Sequence, residues 1–152
     1  MKKTLLVLFL SSLNVITAQT LQSENFTTLS VGNIGTDLTG AAPGQGGFYT
    51  YVAASGANSN FQIVSQGGAY GNVLQVTGSA TASNTRYIWK DGLDTAWSTR
   101  TSGNNIIQVE YDFFTGPATT SKNTVRVVLY NSDGSKMLGG LTMAQDTKII
   151  SG

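Results

Sequence analysis

The chain contains no cysteine and no histidine, and only two prolines in 152 residues. Without cysteine there is no disulfide and no thiol nucleophile, so stability has to come from packing alone. Without histidine there is no imidazole for a zinc site, no Ser-His-Asp triad and no general base of the commonest kind. Charge is scarce as well. Asp, Glu, Lys and Arg make up 11% of the residues, against roughly 25% in an ordinary globular protein. Beyond residue 18 seven basic residues face eight acidic ones. With no basic patch, nucleic acid and anionic membrane are excluded as expected partners. No residue set points to a metal or a cofactor. The longest apolar run, residues 5–16, is shorter than the 20 or so residues that a membrane span needs.

That run follows Lys2 and Lys3 and ends near Ala18, which precedes Gln19. A basic start, a short apolar stretch and a small residue form the pattern of a secretory signal peptide. Residues 1–18 are therefore expected to be removed, leaving residues 19–152 as one secreted domain without a membrane span. Its length suits a single core. Thr, Gly, Ser and Asn supply 59 of these 134 residues, so solubility rests on hydroxyls and amides rather than on charge.

No sustained i, i+3, i+4 apolar pattern appears, and β-branched and aromatic residues dominate the short apolar runs. Strands are expected at 48–53, 60–65, 73–77, 85–90, 106–114, 124–130 and 136–142, with an edge strand in 19–30 and a last piece near 149–150. Residues 32–47, 78–84, 91–105 and 115–123 read as loops and connections. The clearest strand is 106–114, where Ile107, Val109, Tyr111 and Phe113 share one face and Gln108, Glu110, Asp112 and Phe114 the other. Residues 131–135 form a turn with Gly134 placed for positive φ. Eight or nine short strands separated by polar turns signal an all-β antiparallel sandwich or barrel.

The strand chemistry of residues 61–64, 72–76, 96–97 and 103–112, with the final hairpin, resembles the concanavalin A-like jelly roll of secreted Bacteroidota proteins. The Ala18-Gln19 junction resembles cleavage sites common in that phylum. The resemblance implies a jelly-roll β-sandwich and an extracellular or cell-surface location. Such jelly rolls usually run longer, so the sheet is expected to be incomplete at its C-terminal end. An unpaired edge then invites aggregation or partner pairing.

Laminarinases and lichenases share this broad fold and place Glu-x-Asp-x-Glu along one strand. Glu110 and Asp112 match the first two positions, but Phe114 stands at the third. A retaining pair needs two carboxyls about 5–5.5 Å apart, and no proton donor stands in register. The simpler reading makes Glu110 or Asp112 a cross-strand partner of Arg126. Tyr87, Trp89, Asp91, Trp97 and Arg100 form a candidate carbohydrate-binding group, because flat aromatic rings suit the C–H faces of a pyranose. Alternation places Tyr87 and Trp89 together, opposite Ile88. The plainer role for Trp97 is core packing, or a cation–π contact with Arg100.

Asn131, Asp133 and Ser135 offer oxygens at calcium-loop spacing, but a short turn accounts for them and one carboxylate is too little charge. Asp94-Thr95-Ala96 resembles the O-glycosylation motif of the phylum. Gly44, Gly46 and Gly47 follow no strand–helix context, which argues against phosphate binding. The expected function is a secreted, non-catalytic β-sandwich that binds polysaccharide or cell-surface glycan, or acts as an adhesin. The alternatives are a glucanase-like hydrolase, degenerate or inactive, built on Glu110 and Asp112, and a structural subunit assembling through an open edge.

Overall fold

A computed structural model of the chain describes residues 18–80, 84–117 and 119–152. Apart from Ala18, the expected signal segment lies outside the described residues. Eight strands and one short helix follow in order: β1 (Gly32–Asn33), β2 (Phe48–Val52), β3 (Phe61–Gly67), β4 (Gly71–Val76), β5 (Arg86–Lys90), α1 (Leu93–Ser98), β6 (Thr124–Tyr130), β7 (Met137–Ala144) and β8 (Ile150–Ser151). They form three antiparallel sheets, ordered β1-β3-β4, β2-β5 and β6-β7-β8. The all-β expectation holds at this level.

The first two sheets share a core. Phe61 and Ile63 alternate onto one face of β3 and are fully buried together with Ile34. Leu74, paired with Ile63, joins that face, and Phe48 and Val52 of β2 and Ile88 of β5 close over it. Burying a side chain of this size stabilises by about 1.5–3 kcal/mol, so Phe61, Ile63 and Ile34 anchor this half of the molecule. Thr50 points the same way and is buried. Its hydroxyl donates to the Asp37 carbonyl at 2.5 Å, which removes the cost of an unpaired polar group.

The β6–β7 hairpin forms where expected. The turn is closed by Asn131 N–H donating to the Lys136 carbonyl at 2.9 Å and Gly134 N–H to the Asn131 carbonyl at 3.0 Å. The side chains Asn131, Asp133 and Ser135 bond one another and their own backbone. Their oxygens serve the turn, as the simpler reading holds.

Two expected strands are not formed. In 19–30 the side chains compete for the backbone. The Glu24 carboxylate accepts from Phe26 N–H at 2.8 Å, the Asn25 side-chain amide oxygen from Thr27 N–H and hydroxyl, and Phe26 takes φ 60°. A ladder cannot pass through such a turn. The second correction concerns 106–114. It runs without secondary structure, although its alternation was the clearest in the sequence. Tyr111 and Phe113 line one small hollow together with Val125 and Val127 of β6 and Met143 of β7, but no ladder forms along the segment. Ile106 is 88% exposed and Phe114 91%. Within the 91–105 connection the structure adds α1. The Arg100 guanidinium donates to the Trp97 carbonyl in its last turn at 3.0 Å and to the Asn104 carbonyl of the following loop at 2.8 Å.

Candidate functional site: an aromatic platform on the β2–β5 sheet

Side-chain alternation decides what faces outward here. The core claims Phe48, Thr50 and Val52 from β2 and Ile88 from β5, so the residues between them turn to the other face. These are Tyr49 and Tyr51 on β2, and Tyr87 and Trp89 on β5. The register sets Tyr49 directly opposite Trp89 and Tyr51 opposite Tyr87. The ring centroids are 5.4 Å apart in the first pair, with planes 13° from parallel, and 6.2 Å apart in the second, tilted by 31°. Four rings therefore form one row on the outer face. Tyr87 remains 50% exposed and Trp89 36%.

A loop fixes one end of this row. Thr39 bridges to Tyr51 on the side of β2 away from β5, and Val52 N–H donates to the Leu38 carbonyl. The loop is tied by Asp37, whose carboxylate accepts from Thr39 N–H and hydroxyl and from the amides of Ala41 and Ala42. The Thr39 hydroxyl, foremost, and these amides stabilise the charged form and hold the Asp37 carboxyl far below the usual carboxylate range. The indole of Trp89 reaches across β2 to Gly40. A Cβ built on Gly40 stands 2.5 Å from the Trp89 Cη2 atom, and Gly40 has φ +78°. Only glycine suits that place. The indole is thus set between a paired tyrosine and a backbone ridge.

Trp97 and Arg100 form a unit of their own, with the guanidinium 4.0 Å from the indole centroid. The Arg100 donors go to Trp97 O, Asn104 O and the Asn105 amide oxygen. That is the structural role foreseen for the pair, and it commits Arg100 to closing α1. Asp91 follows β5 directly and is exposed. Its backbone carbonyl accepts from the Gln22 amide at 3.2 Å. No known protein family, curated protein or solved structure matches this chain. The site therefore has to be read from its own chemistry.

Tyr49 and Tyr51 are the members that the sequence reading missed. Their alternation was visible in 48–53, but only the β2–β5 register joins them to Tyr87 and Trp89. Glu110 and Asp112 lie on the unpaired 106–114 segment, both exposed. Glu110 accepts from the Gln108 amide at 2.5 Å. The cross-strand partner expected for them, Arg126, sits on β6, and among the described residues it makes no ion pair. No group of three Asp or Glu residues capable of holding a metal occurs among the described residues. None of the described helices is long and apolar enough to cross a membrane.

Two hollows stand out among the described residues, one small and one open. The first, lined by Tyr111, Phe113, Val125 and Val127, holds about 20 Å³, room for little more than a water. Another of about 230 Å³ is lined by Ser23, Glu24 and Asn25 alone. A small-molecule pocket of the usual kind occupies about 300–1,000 Å³ and is mostly apolar. Recognition by the platform would thus take place on an open surface.

Proposed function

We propose that this protein is a secreted, non-catalytic module that binds polysaccharide or cell-surface glycan through the Tyr49–Trp89 and Tyr51–Tyr87 row. The supporting observation is the row itself: four aromatic rings on the face of a sheet whose other face is core. A solvent-exposed aromatic row on a rigid sheet is costly unless something covers it. The axial C–H groups of a pyranose suit such a face, while the phenol hydroxyls and the neighbouring Asp91 offer hydrogen bonds to sugar hydroxyls. The flat, open geometry favours a run of sugar units over a single enclosed one.

The concanavalin A-like jelly-roll arrangement and the extracellular location belong to this proposal. They rest on the strand chemistry of residues 61–141 and the leader-like pattern of residues 1–18. Hydrolysis through Glu110 and Asp112 is the weaker reading, since both carboxylates stand on an exposed segment without secondary structure and Phe114 occupies the place of a proton donor.

The test is a glycan array followed by titration of the strongest hit. Trp89→Ala is expected to weaken binding by about tenfold or more, as removal of a central aromatic anchor does. Stability should fall by about 2–4 kcal/mol, because the indole is only 36% exposed and the ring pair adds about 0.5–1.5 kcal/mol to that burial, so binding is compared well below the melting temperature of the variant. A binding constant unchanged in Trp89→Ala would remove the platform from the function. Loss of reducing-sugar release in Glu110→Gln would establish the hydrolase reading instead.

A further inference from the structure

The elements that build the aromatic row offer it charge of one sign only. Its two strands carry two cations, Arg86 and Lys90, both on β5, and neither faces the row. Arg86 stands opposite Val52 and Lys90 opposite Phe48, on the side that Ile88 turns to the core. Each is engaged there. The Lys90 ammonium donates to the Glu24 carboxylate at 3.3 Å and lies 5.2 Å from the centroid of the Phe48 ring. The Arg86 guanidinium donates to the Thr77 carbonyl. β2 carries no charge.

The charges that remain are acidic. Asp37 belongs to the loop that meets Tyr51 through Thr39 and Trp89 through Gly40. The Thr39 hydroxyl and the loop amides hold its carboxyl far below the usual carboxylate range, so it stays ionised. Those donors are neutral dipoles and leave the net charge in place. Asp91 comes two residues after Trp89 and is exposed, and the Gln22 amide holds its backbone carbonyl rather than its carboxylate. Among the described residues neither acid forms an ion pair.

We propose that the platform accepts neutral glycans and rejects those that carry carboxylate or sulfate groups. This rests on the reading of the row as a glycan site. Stacking alone does not discriminate, because a uronate and its neutral parent present the same C–H faces to a ring. The field does. The hydroxyls of a neutral unit can donate to the Asp91 carboxylate, and such charge-assisted bonds are the stronger ones. An anionic unit meets the two acids with no cation on these elements to receive it. Two like charges about 6–10 Å apart in water repel enough to weaken binding about two- to threefold, and more where the protein lowers the effective dielectric. With two acids, a loss of about two- to tenfold is expected at low salt.

The test titrates the purified chain with neutral β-glucan, mannan and galactan, and with the same three polymers after oxidation of their primary hydroxyls to carboxylates. The neutral parent is expected to bind about two- to tenfold more tightly in about 10 mM salt. The gap is expected to narrow in about 1 M salt, where the screening length falls from about 30 Å to about 3 Å. Asp91→Asn keeps an oxygen for sugar hydroxyls but loses the charge, and is expected to narrow the gap at low salt. Asp91→Lys is expected to close or invert it. An oxidised polymer that binds as tightly as its parent at low salt overturns this inference, and the platform still stands if Trp89→Ala weakens both. A gap that neither salt nor Asp91→Lys alters is steric and overturns it as well. Binding to none of the six polymers overturns the glycan reading itself, and the selectivity with it.

Discussion

The seat of Trp89 can be tested by adding a single methyl group. In Gly40→Ala the new Cβ stands 2.5 Å from Cη2 and 3.2 Å from Cζ2 of the indole. Carbon pairs settle at about 3.5–4.0 Å, so the ring has to retreat by about 1 Å. Overpacking of this kind costs about 1–3 kcal/mol. The backbone adds its own cost, since φ +78° is the left-handed region and an alanine there loses about 1–2 kcal/mol. Together these destabilise by about 2–5 kcal/mol, a melting-temperature drop of about 6–20 °C for a domain of this size. Gly134→Ala separates the two contributions. Gly134 has φ +68° and nothing within 4 Å of the place its new methyl group would take, so it suffers the strain without the collision. Its drop should be about half as large or less. The chain has two tryptophans, so a Trp97→Phe background makes emission report on Trp89 alone. Gly40→Ala in that background is expected to red-shift and to bind glycan more weakly. If Gly40→Ala and Gly134→Ala melt within a degree or so of each other, with unchanged emission, the indole does not rest against Gly40 and the account of the platform is wrong.

Two further outcomes follow from the loop beneath the row. Thr50→Val keeps shape but leaves the Asp37 carbonyl without the hydroxyl it now accepts from. A loss of about 1–3 kcal/mol in urea unfolding is expected; no loss would mean that the hydroxyl does not satisfy that carbonyl. The Asp37 carboxyl is lowered in the folded chain by its bonds to Thr39, Ala42 and Ala41. Because the folded value lies below the unfolded one, near 3.9, its stabilisation is complete above about pH 4 and is lost as pH falls below that. Asp37→Asn should therefore flatten the decline in melting temperature between about pH 4 and pH 2. An unaltered slope would show that the loop's hydrogen bonds do not favour the charged form.

What the sequence disclosed and what it hid divide along one line, the separation in sequence of the partners. The β6–β7 hairpin was readable because Asn131, Asp133, Gly134 and Ser135 carry their own turn chemistry and the flanking alternation lies next to it. The opposition of Ile88 to Tyr87 and Trp89 was readable for the same local reason. The platform was readable only by half. Nothing near residue 49 announces that Tyr49 will meet Trp89 forty residues on; that follows from which face the core takes and from a register fixed at long range. The contact of Trp97 with Arg100 was readable for a local reason, since three residues at the end of α1 bring the guanidinium 4.0 Å from the indole centroid and onto the Trp97 carbonyl.

The 106–114 segment carries this reasoning furthest. Its alternation of Ile107, Val109, Tyr111 and Phe113 with Gln108, Glu110 and Asp112 states a preference for a half-buried strand. A strand, however, is a property of two segments, and alternation names only one of them. Here Tyr111 and Phe113 share a small hollow with residues of β6, β7 and β8, while Ile107 and Val109 stay 39% and 48% exposed and the backbone of 106–110 has no hydrogen-bond partner among the described residues. Natural edges are blunted by charge, proline or bulges, and residues 106–110 carry one charge and neither of the others. Alternation therefore states which side of a segment is apolar, whereas the ladder that would make it a strand needs a backbone partner, and residues 106–110 find none among the described residues.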